Sequence, residues 1–382
     1  MAKSNLDSII ENIKDETGLD PNTLIFDPKK ADDFIAKADK SRIAFLPVRP
    51  DWNEAKKVFG YYNPLTGLFY PTDGLNVLLN AFRSLMMGEN DKKHFIILDE
   101  MNLARVEYYF SDILSLMENM WKVKDNIIIR GETSQIHPFD RCILSKIPAD
   151  RENDYKDKPE KKCQEDCSKC PYQPLLKTES GEQIKVMKID EKFAKFLKEN
   201  NPIPPRIAYP ENLVIIGTVN VDETTFSFAP KVLDRAFQLE FVDVHWEEFL
   251  NQKKIADKKF SNFVGTLQSI LKSKNMHFGY RVIDEMWKYL EVAKGKNDNE
   301  YDFLLKSKIL SKLHGTEEQI GDILLQLLAF CKKGKKEDIP KENKDDWIKK
   351  LMEETSFIYT NSANKLKQMY QNMKATGYCS YF

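Results

Sequence analysis

Short apolar runs alternate with amphipathic segments over the first 240 residues or so of the chain. The strand-like runs are 43–48, 94–100, 126–132 and 212–220. The segments with helical spacing of apolar residues are 4–16, 75–87 and 106–120. Short apolar runs between amphipathic segments are typical of buried strands that alternate with helices. The pattern therefore predicts an α/β fold with a parallel sheet covered by helices on both faces.

The second part of the chain has a different pattern. After Val244 the apolar spacing is helical almost throughout, with breaks near 295–299 and 334–345. We therefore expect an α/β core over 1–244 and an all-α lid domain over 245–382. Within the core, Gly, Pro, Asn and Tyr over 60–73 predict mostly loop. The stretch 231–241 predicts the end of a helix that leads into a strand.

Composition narrows the functional classes only a little. The chain has 382 residues and a formal net charge of -1, so bulk charge does not indicate a nucleic-acid-binding domain. No run of about 18 apolar residues predicts a membrane span. The first 16 residues include acids and lack an apolar core, which is unlike a signal peptide. We therefore expect a cytoplasmic location and no membrane partner.

A cysteine-rich, polar insertion interrupts the core at about 142–175. Cys163, Cys167 and Cys170 lie within eight residues, in a segment that has almost no apolar side chains. Three thiolates suit a structural Zn²⁺ site, which takes four ligands. Cys142 is the expected fourth ligand and His137 the reserve. The alternatives are three surface thiols in a disordered loop and, less suited to this spacing, an iron–sulfur cluster.

Two acids directly follow one of the strand-like runs. Phe95–Leu98 is apolar, and Asp99 and Glu100 come at its end, in the form of a Walker B strand. The first acid can hold Mg²⁺. The second can orient the attacking water in phosphoryl transfer. Asn220 ends the strand-like run 212–220, so we expect it at the same edge of the sheet, where ligands gather in α/β folds.

Several further motifs occur together and in order. They are VRPDW (48–52), GYYNP (60–64), MNLAR (101–105), YYFSD (108–112), IIGTVNVDETT (215–225), LDRAF (233–237), FGYRV (278–282), KILSKLHG (308–315) and SANKL (362–366). Together these motifs resemble McrB-like AAA+ proteins, the motor subunits of modification-dependent restriction systems. The resemblance runs from about residue 43 to the end of the chain.

The resemblance implies a role for several residues. Asn220 matches the sensor 1 position, Arg235 a cation that reaches a neighbouring subunit's phosphate, and Arg281 a sensor 2 helix. Asp222 could help to position water. Each has a structural alternative: Asn220 could cap a turn, Arg235 could pair with Asp234 or Glu240, and Arg281 with Asp284 or Glu285.

A complete phosphate-binding loop is not found in the sequence. Lys3 and Ser4 match its last two positions, where they would bind phosphate and Mg²⁺, and they lead into the helix pattern of 4–16. The first strand and the glycines of the loop would then precede Met1. A truncated sequence, a split or decayed gene, and a chance pair with Ser4 as helix cap all fit this start. We expect weak or no nucleotide binding by these 382 residues alone.

Three functions are open at this point. The first is an AAA+ nucleoside-triphosphatase motor, using Mg²⁺ with GTP or ATP, for which the resemblance implies a homo-hexamer, a McrC-like nuclease partner and DNA reached through the complex. The second is a non-catalytic AAA+ scaffold or fragment without its phosphate-binding loop. The third is a MoxR-like remodeller of proteins. The restriction-type motor is favoured by the VRPDW, GYYNP and NVDETT segments.

Overall fold

The described part of the chain forms two compact units. The computed structural model describes residues 41–87, 89, 92–117, 120–122, 128–147, 149–165, 172, 191–220, 225–240, 243–293 and 296–382. The first unit is of α/β type and ends at Gln238, and the second begins at Leu239 and is almost entirely helical. The prediction of an α/β fold with a parallel sheet is confirmed.

A three-stranded parallel sheet forms the centre of the first unit. Its strands are β1 (Ile43–Pro47), β4 (His94–Asp99) and β10 (Leu213–Gly217), in the order β1-β4-β10. All three coincide with runs that the apolar pattern predicts as strands. Ala44, Ile96 and Ile215 are aligned across the sheet, as are Leu46, Leu98 and Gly217. The register thus places alternate residues of all three strands on one face.

One face of this sheet packs against a long helix, α2 (Asp73–Met86). The helix buries Leu75, Leu78, Leu79 and Phe82, which are all at most 1% exposed and belong to the same core as Ala44, Leu46, Ile96 and Leu98. Thr72 caps the helix by accepting a hydrogen bond from the Leu75 N–H at 3.2 Å. The spacing of the buried residues matches the helix predicted over 75–87.

The opposite face of the sheet remains exposed to solvent within the described residues. Phe45, Val214 and Ile216 are 57%, 37% and 44% exposed. The expectation of a sheet covered on both faces is therefore not met by the described elements. Among the described helices, α2 packs against β1 and β4 on the other face.

Shorter helices and strands complete the first unit. The remaining helices are α1 (Lys56–Phe59), α3 (Val106–Tyr109), α4 (Ser111–Leu116), α5 (Glu191–Asn200) and α6 (Pro230–Leu233). The remaining strands are β2 (Gly60–Asn63), β3 (Leu68–Pro71), β5 (Met120–Lys122), β6 (Ile128–Gln135), β7 (Ile143–Leu144), β8 (Pro202–Ile203) and β9 (Arg206–Pro210). Strands β5, β6 and β9 form an antiparallel sheet, β2 pairs with β3, and β7 pairs with β8.

Two local predictions are wrong. Residues 60–73, expected to be mostly loop, contain the β2–β3 hairpin, in which Tyr61 and Tyr70 stack across the strands with ring centroids 5.7 Å apart. Gly60 begins the hairpin with φ 100°, a conformation that favours glycine. The strand expected at the end of 231–241 is absent from the described residues 234–240, where no neighbouring strand is present to pair with it.

The cysteine-rich insertion is more closely attached to the core than its polar composition predicts. Tyr155, Cys142, Cys163 and Tyr172 are at most 6% exposed and belong to the core of the first unit. Tyr172 also accepts a hydrogen bond from the Arg83 side chain of α2. A few buried side chains at long spacing thus anchor this segment, and such anchors leave no periodic signal in the sequence.

The second unit is built from helices around its own core. The helices are α7 (Trp246–Gln252), α8 (Lys258–Leu271), α9 (Tyr280–Val292), α10 (Asp298–Leu304), α11 (Glu317–Lys333), α12 (Lys344–Glu353) and α13 (Thr360–Thr376). A π-helical turn, Leu305–Ile309, follows α10, and a small pair of strands joins β11 (Gly315–Thr316) to β12 (Tyr378–Cys379). Phe263 packs on Tyr301 and Phe330 at the centre of this core.

A buried carboxylate joins two helices of the second unit. Asp302, in α10, is 2% exposed. Its two carboxylate oxygens accept hydrogen bonds from the N–H groups of Asn361 and Ser362, both at 2.8 Å, in the first turn of α13. The Ser362 hydroxyl donates back to the Asp302 carbonyl at 3.0 Å. The acid therefore satisfies N–H groups that the helix itself leaves without a partner.

Among the described helices, none combines the length and the apolarity that crossing a bilayer requires.

Candidate functional site

The carboxyl ends of β4 and β10 lie side by side because the two strands are parallel and paired in register. Gly217, the last residue of β10, is aligned with Leu98, one residue before Asp99. The chain segments that leave both strands therefore meet at the same edge of the sheet. Asp99, Glu100 and Asn220 lie at this edge.

Thr218 connects the two strand ends. Its hydroxyl donates a hydrogen bond to Asp99 Oδ1 at 2.8 Å and accepts one from the Glu100 backbone N–H at 2.9 Å. Its backbone N–H donates to the Leu98 carbonyl, and its carbonyl accepts from the Met101 N–H at 2.8 Å. One side chain thus fixes the orientation of the first acid and the backbone of the second.

Glu100 has a left-handed backbone conformation, with φ 52° and ψ 49°. For a residue other than glycine this conformation costs about 1–3 kcal/mol, and it persists only where the surroundings enforce it. Here the flanking hydrogen bonds enforce it: Thr218 binds the Glu100 N–H, and the Glu100 carbonyl accepts from the Leu103 N–H at 2.9 Å. The turn directs the chain away from the sheet immediately after the strand and leaves Glu100 exposed.

Asn220 contacts Glu100 directly. Its Nδ2 donates to Glu100 Oε1 at 3.3 Å. Asn102, which is 3% exposed, donates from its own side-chain amide to the Asn220 carbonyl at 2.8 Å. The Asn102 carbonyl in turn accepts from the Phe226 N–H at 2.9 Å. The turn after β4 therefore holds the loop after β10 at two points, and this holds the Asn220 amide close to the acid.

A buried tyrosine, Tyr109, supports the turn that follows β4. The Tyr109 hydroxyl donates to the Met101 carbonyl at 2.9 Å, and its ring meets Trp52 edge-on with centroids 5.3 Å apart. Burial raises the pKa of Tyr109 above its usual value, so its hydroxyl stays protonated and remains a donor. Gly217 completes the support, because a Cβ at that position would overlap the Met101 side chain.

The carboxylate oxygens of the two acids that make no hydrogen bond within the protein are suited to a hard cation or to water. Asp99 is half-buried and uses one carboxylate oxygen for Thr218, while Glu100 uses one for Asn220. Their second oxygens have no protein partner among the described residues. Carboxylate oxygen is the ligand type that Mg²⁺ prefers, and it usually binds one or two carboxylates together with water or phosphate. The two carboxylates are thus ligands of the type that Mg²⁺ takes. No group of three or more His, Cys, Asp or Glu side chains arranged for a metal occurs in the part of the chain that the structure describes.

Of the other expected site residues, one follows α6, one lies in the second unit, and the rest lie outside the described residues. Arg235 follows α6, and its guanidinium donates to the Lys231 carbonyl one turn earlier. Arg281 is exposed in the first turn of α9, in the second unit. The carboxylates that could pair with it, Asp284 and Glu285, are engaged by lysines. Lys3, Ser4 and Asp222 lie outside the described residues.

Two of the four cysteines predicted to bind zinc are neighbours. The Cys163 N–H donates to the Cys142 carbonyl at 2.7 Å, and both side chains are buried. An antiparallel bridge between Ile143 and Lys162 continues this pairing. Cys167 and Cys170 lie outside the described residues. His137, the reserve ligand, is buried, and its Nε2 lies 3.1 Å from the Ile203 carbonyl.

The sequence reasoning missed Thr218, Asn102 and Tyr109. All three act through contacts with residues that are distant in the sequence or with backbone groups. The sequence offers one signal for such a residue, which is a polar side chain directly after a strand, as at Thr218. At that position the side chain lies close to the end of the neighbouring strand.

Comparison with known proteins adds one match. A family model described as a domain of unknown function, DUF8727, matches residues 237–378, which covers most of the helical unit. No curated protein matches the chain.

Proposed function

We propose that this chain is part of an AAA+ motor subunit that, with a complete phosphate-binding loop, hydrolyses ATP or GTP in a McrB-like restriction complex. The observation that carries the proposal is the hydrogen-bonded group formed by Asp99, Thr218, Glu100 and Asn220 at the carboxyl edge of a parallel sheet. Two acids in sequence, one held and one exposed, suit a reaction that depends on positioning and charge. The order of the motifs along the chain adds support from the sequence.

Each residue has a separate role in this proposal. Asp99 would hold Mg²⁺, directly or through water, and the ion would supply positive charge that neutralises the phosphate. Glu100 accepts a hydrogen bond from the attacking water and orients it. Asn220 fixes one carboxylate oxygen of Glu100, which leaves the other for water. Thr218 fixes one carboxylate oxygen of Asp99, which leaves the other for the ion.

An assembly is part of the proposal. Arg235 would supply a cation to a site on a neighbouring subunit, since a guanidinium matches phosphate geometry. Its neighbours along the chain support an interface: Leu233 and Phe237 are 38% and 102% exposed. Exposed apolar side chains around a cation are typical of surfaces that another protein covers. We propose a homo-hexameric ring that acts with a McrC-like nuclease and reaches DNA through the complex.

The proposal is tested on the protein isolated from its own cells, so that its natural assembly is retained. Hydrolysis of ATP and of GTP is measured with Mg²⁺, alone, with duplex DNA and with an unfolded protein. We expect turnover of one nucleotide and stimulation by DNA. Stimulation by the unfolded protein alone would favour a protein remodeller. Absence of hydrolysis in every condition would favour a non-catalytic scaffold.

We also propose a structural Zn²⁺ at the cysteine-rich insertion. The support is that Cys142 and Cys163 are buried and adjacent, although 20 residues separate them. Zinc content is measured by mass spectrometry of the purified chain and of two variants. We expect about one Zn²⁺ per chain, as one closed site takes, and its loss in Cys163→Ser. The buried Cys331→Ser is the control and should keep the metal. A wild-type chain without zinc would contradict this proposal.

A further inference from the structure

Arg105 lies between two aromatic side chains, at the end of the turn that follows β4. It immediately precedes α3 and is exposed. Its guanidinium carbon is 5.2 Å from the centroid of the Phe226 ring and 5.8 Å from that of the Tyr108 ring. A cation within about 6 Å of a ring centroid is attracted to the face of the ring. No hydrogen bond or ion pair with another described residue competes for the guanidinium. The two rings therefore determine where the Arg105 side chain lies.

Phe226 belongs to the loop that follows β10 and carries Asn220. Its N–H donates to the Asn102 carbonyl at 2.9 Å. The hydroxyl of its neighbour Thr225 donates to the Asn220 carbonyl at 3.0 Å, and the same carbonyl accepts from the Asn102 side-chain amide at 2.8 Å. Residues 220 and 225–226 are thus drawn together and tied to the turn after β4 through Asn102.

Arg105 adds a second attachment between the same turn and the same loop. Asn102 holds the loop through hydrogen bonds to backbone groups, whereas Arg105 holds the side chain of Phe226, which is 43% exposed. Hydrogen bonds in an exposed loop contribute little by themselves, since water can replace either partner. A further contact beside them therefore changes the fraction of time for which the loop is closed on the turn.

The contact between Asn220 and Glu100 depends on the position of this loop. The Asn220 Nδ2 donates to Glu100 Oε1 at 3.3 Å, which is longer than the usual range for such a bond. A hydrogen bond of this length is lost after a small displacement of either partner. The attachment of the loop therefore decides whether the amide reaches the carboxylate.

We propose that Arg105 is a positioning residue of the candidate site. It acts through Phe226, keeps the loop after β10 closed on the turn after β4, and thereby holds the Asn220 amide on Glu100. Tyr108 is the second ring that keeps the guanidinium in place. The inference rests on the proposed function, in which Glu100 orients the attacking water.

The first test is residue-resolved hydrogen exchange of the Phe226 amide, which needs no nucleotide. Arg105→Ala should increase its exchange rate by about two- to fivefold, the range that an exposed cation–π contact provides. Arg105→Lys keeps a cation and should restore part of the protection. Arg206→Ala, at the start of β9, is the matched control and should leave the rate unchanged. Exchange of the buried helix α2 reports whether each variant is folded. An unchanged Phe226 rate in Arg105→Ala would overturn the proposal.

The second test is nucleotide turnover by the protein isolated from its own cells. Arg105→Ala should lower kcat by about two- to fivefold and leave KM unchanged, because the contact that it supports orients water and does not bind the nucleotide. Phe226→Leu, which removes the ring, should have the same effect. In an Asn220→Ala background Arg105→Ala should have no further effect, because the group that it positions is already absent.

The outcomes separate this inference from the proposed function. Additive losses in the double variant, or full turnover by Arg105→Ala despite faster Phe226 exchange, would overturn the positioning role. Absence of hydrolysis by the wild type would refute the proposed function and the positioning role together. An unchanged Phe226 exchange rate in Arg105→Ala, with normal hydrolysis by the wild type, would refute the positioning role alone.

Discussion

The helical unit holds one hydrogen-bonded acid and the α/β unit holds a pair, and they differ in how many carboxylate oxygens bind protein groups. In the helical unit, Asp302 is buried, and each of its carboxylate oxygens accepts a backbone N–H at 2.8 Å. In the α/β unit, Asp99 and Glu100 lie at a strand end, and each uses one carboxylate oxygen for a polar side chain. Both arrangements are specific, but only the second leaves oxygens available to a ligand.

The difference separates stability from chemistry. A buried acid with both oxygens satisfied links α10 to α13, and its removal leaves N–H groups without a partner. An exposed acid can be removed at little cost to the fold because water replaces its partners. We therefore expect substitution of Asp302 to change the free energy of unfolding, and substitution of Asp99 or Glu100 to change turnover.

The largest expected effect is on turnover and comes from Arg235→Ala. In the assembled ring we expect a loss of about 10³-fold or more, the range measured for cations supplied to phosphoryl transfer by a second protein. The thermal stability of the chain should stay unchanged. The measurement is hydrolysis at several protein concentrations, with Arg206→Ala as the control. Full activity of an isolated monomer would rule out a role across subunits.

Asp302→Ala has the largest expected effect on stability. Loss of a buried acid together with two N–H partners should lower the free energy of unfolding by about 3 kcal/mol. Asp298→Ala is the matched control, because Asp298 is an exposed neighbour whose ion pair with Lys259 contributes less than about 1 kcal/mol. Urea unfolding, monitored by circular dichroism, measures both. An equal loss in the free energy of unfolding for both variants would show that burial of Asp302 does not account for its contribution to stability.

A smaller effect, on pH dependence, is expected from His137. Burial lowers the pKa of His137 below its ordinary value of 6.5. The unfolded chain then binds a proton at a higher pH than the folded chain, so stability falls as the pH drops below about 6.5. The measurement is the unfolding midpoint between about pH 7 and 5. His137→Gln should reduce this loss, and the control His314→Gln should not. An identical pH profile for all three proteins would contradict a buried, neutral His137.

A small effect on stability is expected from Thr218→Val. The variant keeps the shape of the side chain but loses both hydrogen bonds of the hydroxyl, which is exposed. We expect a loss of less than about 1 kcal/mol in stability. Turnover should nevertheless fall by about tenfold or more, because Asp99 and the Glu100 backbone are no longer held. A large loss of stability with normal turnover would show that Thr218 serves the fold and not the positioning of the two acids.

The apolar pattern predicts the central strands because β4 and β10 are short, apolar and bounded by polar residues. The same pattern indicates where Asp99, Glu100 and Asn220 come together, since parallel strands end at a common edge. It does not predict the left-handed turn at Glu100, because nothing local requires it and distant hydrogen bonds from Thr218 hold it. The role of Asp302 depends on Asn361 and Ser362, about 60 residues away, and is likewise invisible in a local pattern.

The exposed face of the sheet shows where an expectation and the described structure differ for a physical reason. Covered faces were expected because a run such as Phe95–Leu98 is typical of a strand buried on both sides. Among the described residues, α2 packs on one face, and Phe45, Val214 and Ile216 on the other face are exposed. The hairpin at 60–71 was missed because its strands are only four residues long and rich in turn-forming residues.

The central claim is that the two acids at the strand end hydrolyse a nucleotide, and Glu100→Gln tests it most directly. In the protein isolated from its own cells, we expect turnover to fall by at least about 10²-fold while the nucleotide stays bound, since the carboxylate that orients water is lost and Asp99 remains. Glu107→Gln, the same substitution on α3, is the control and should behave as the wild type. Unchanged turnover in Glu100→Gln would contradict the account.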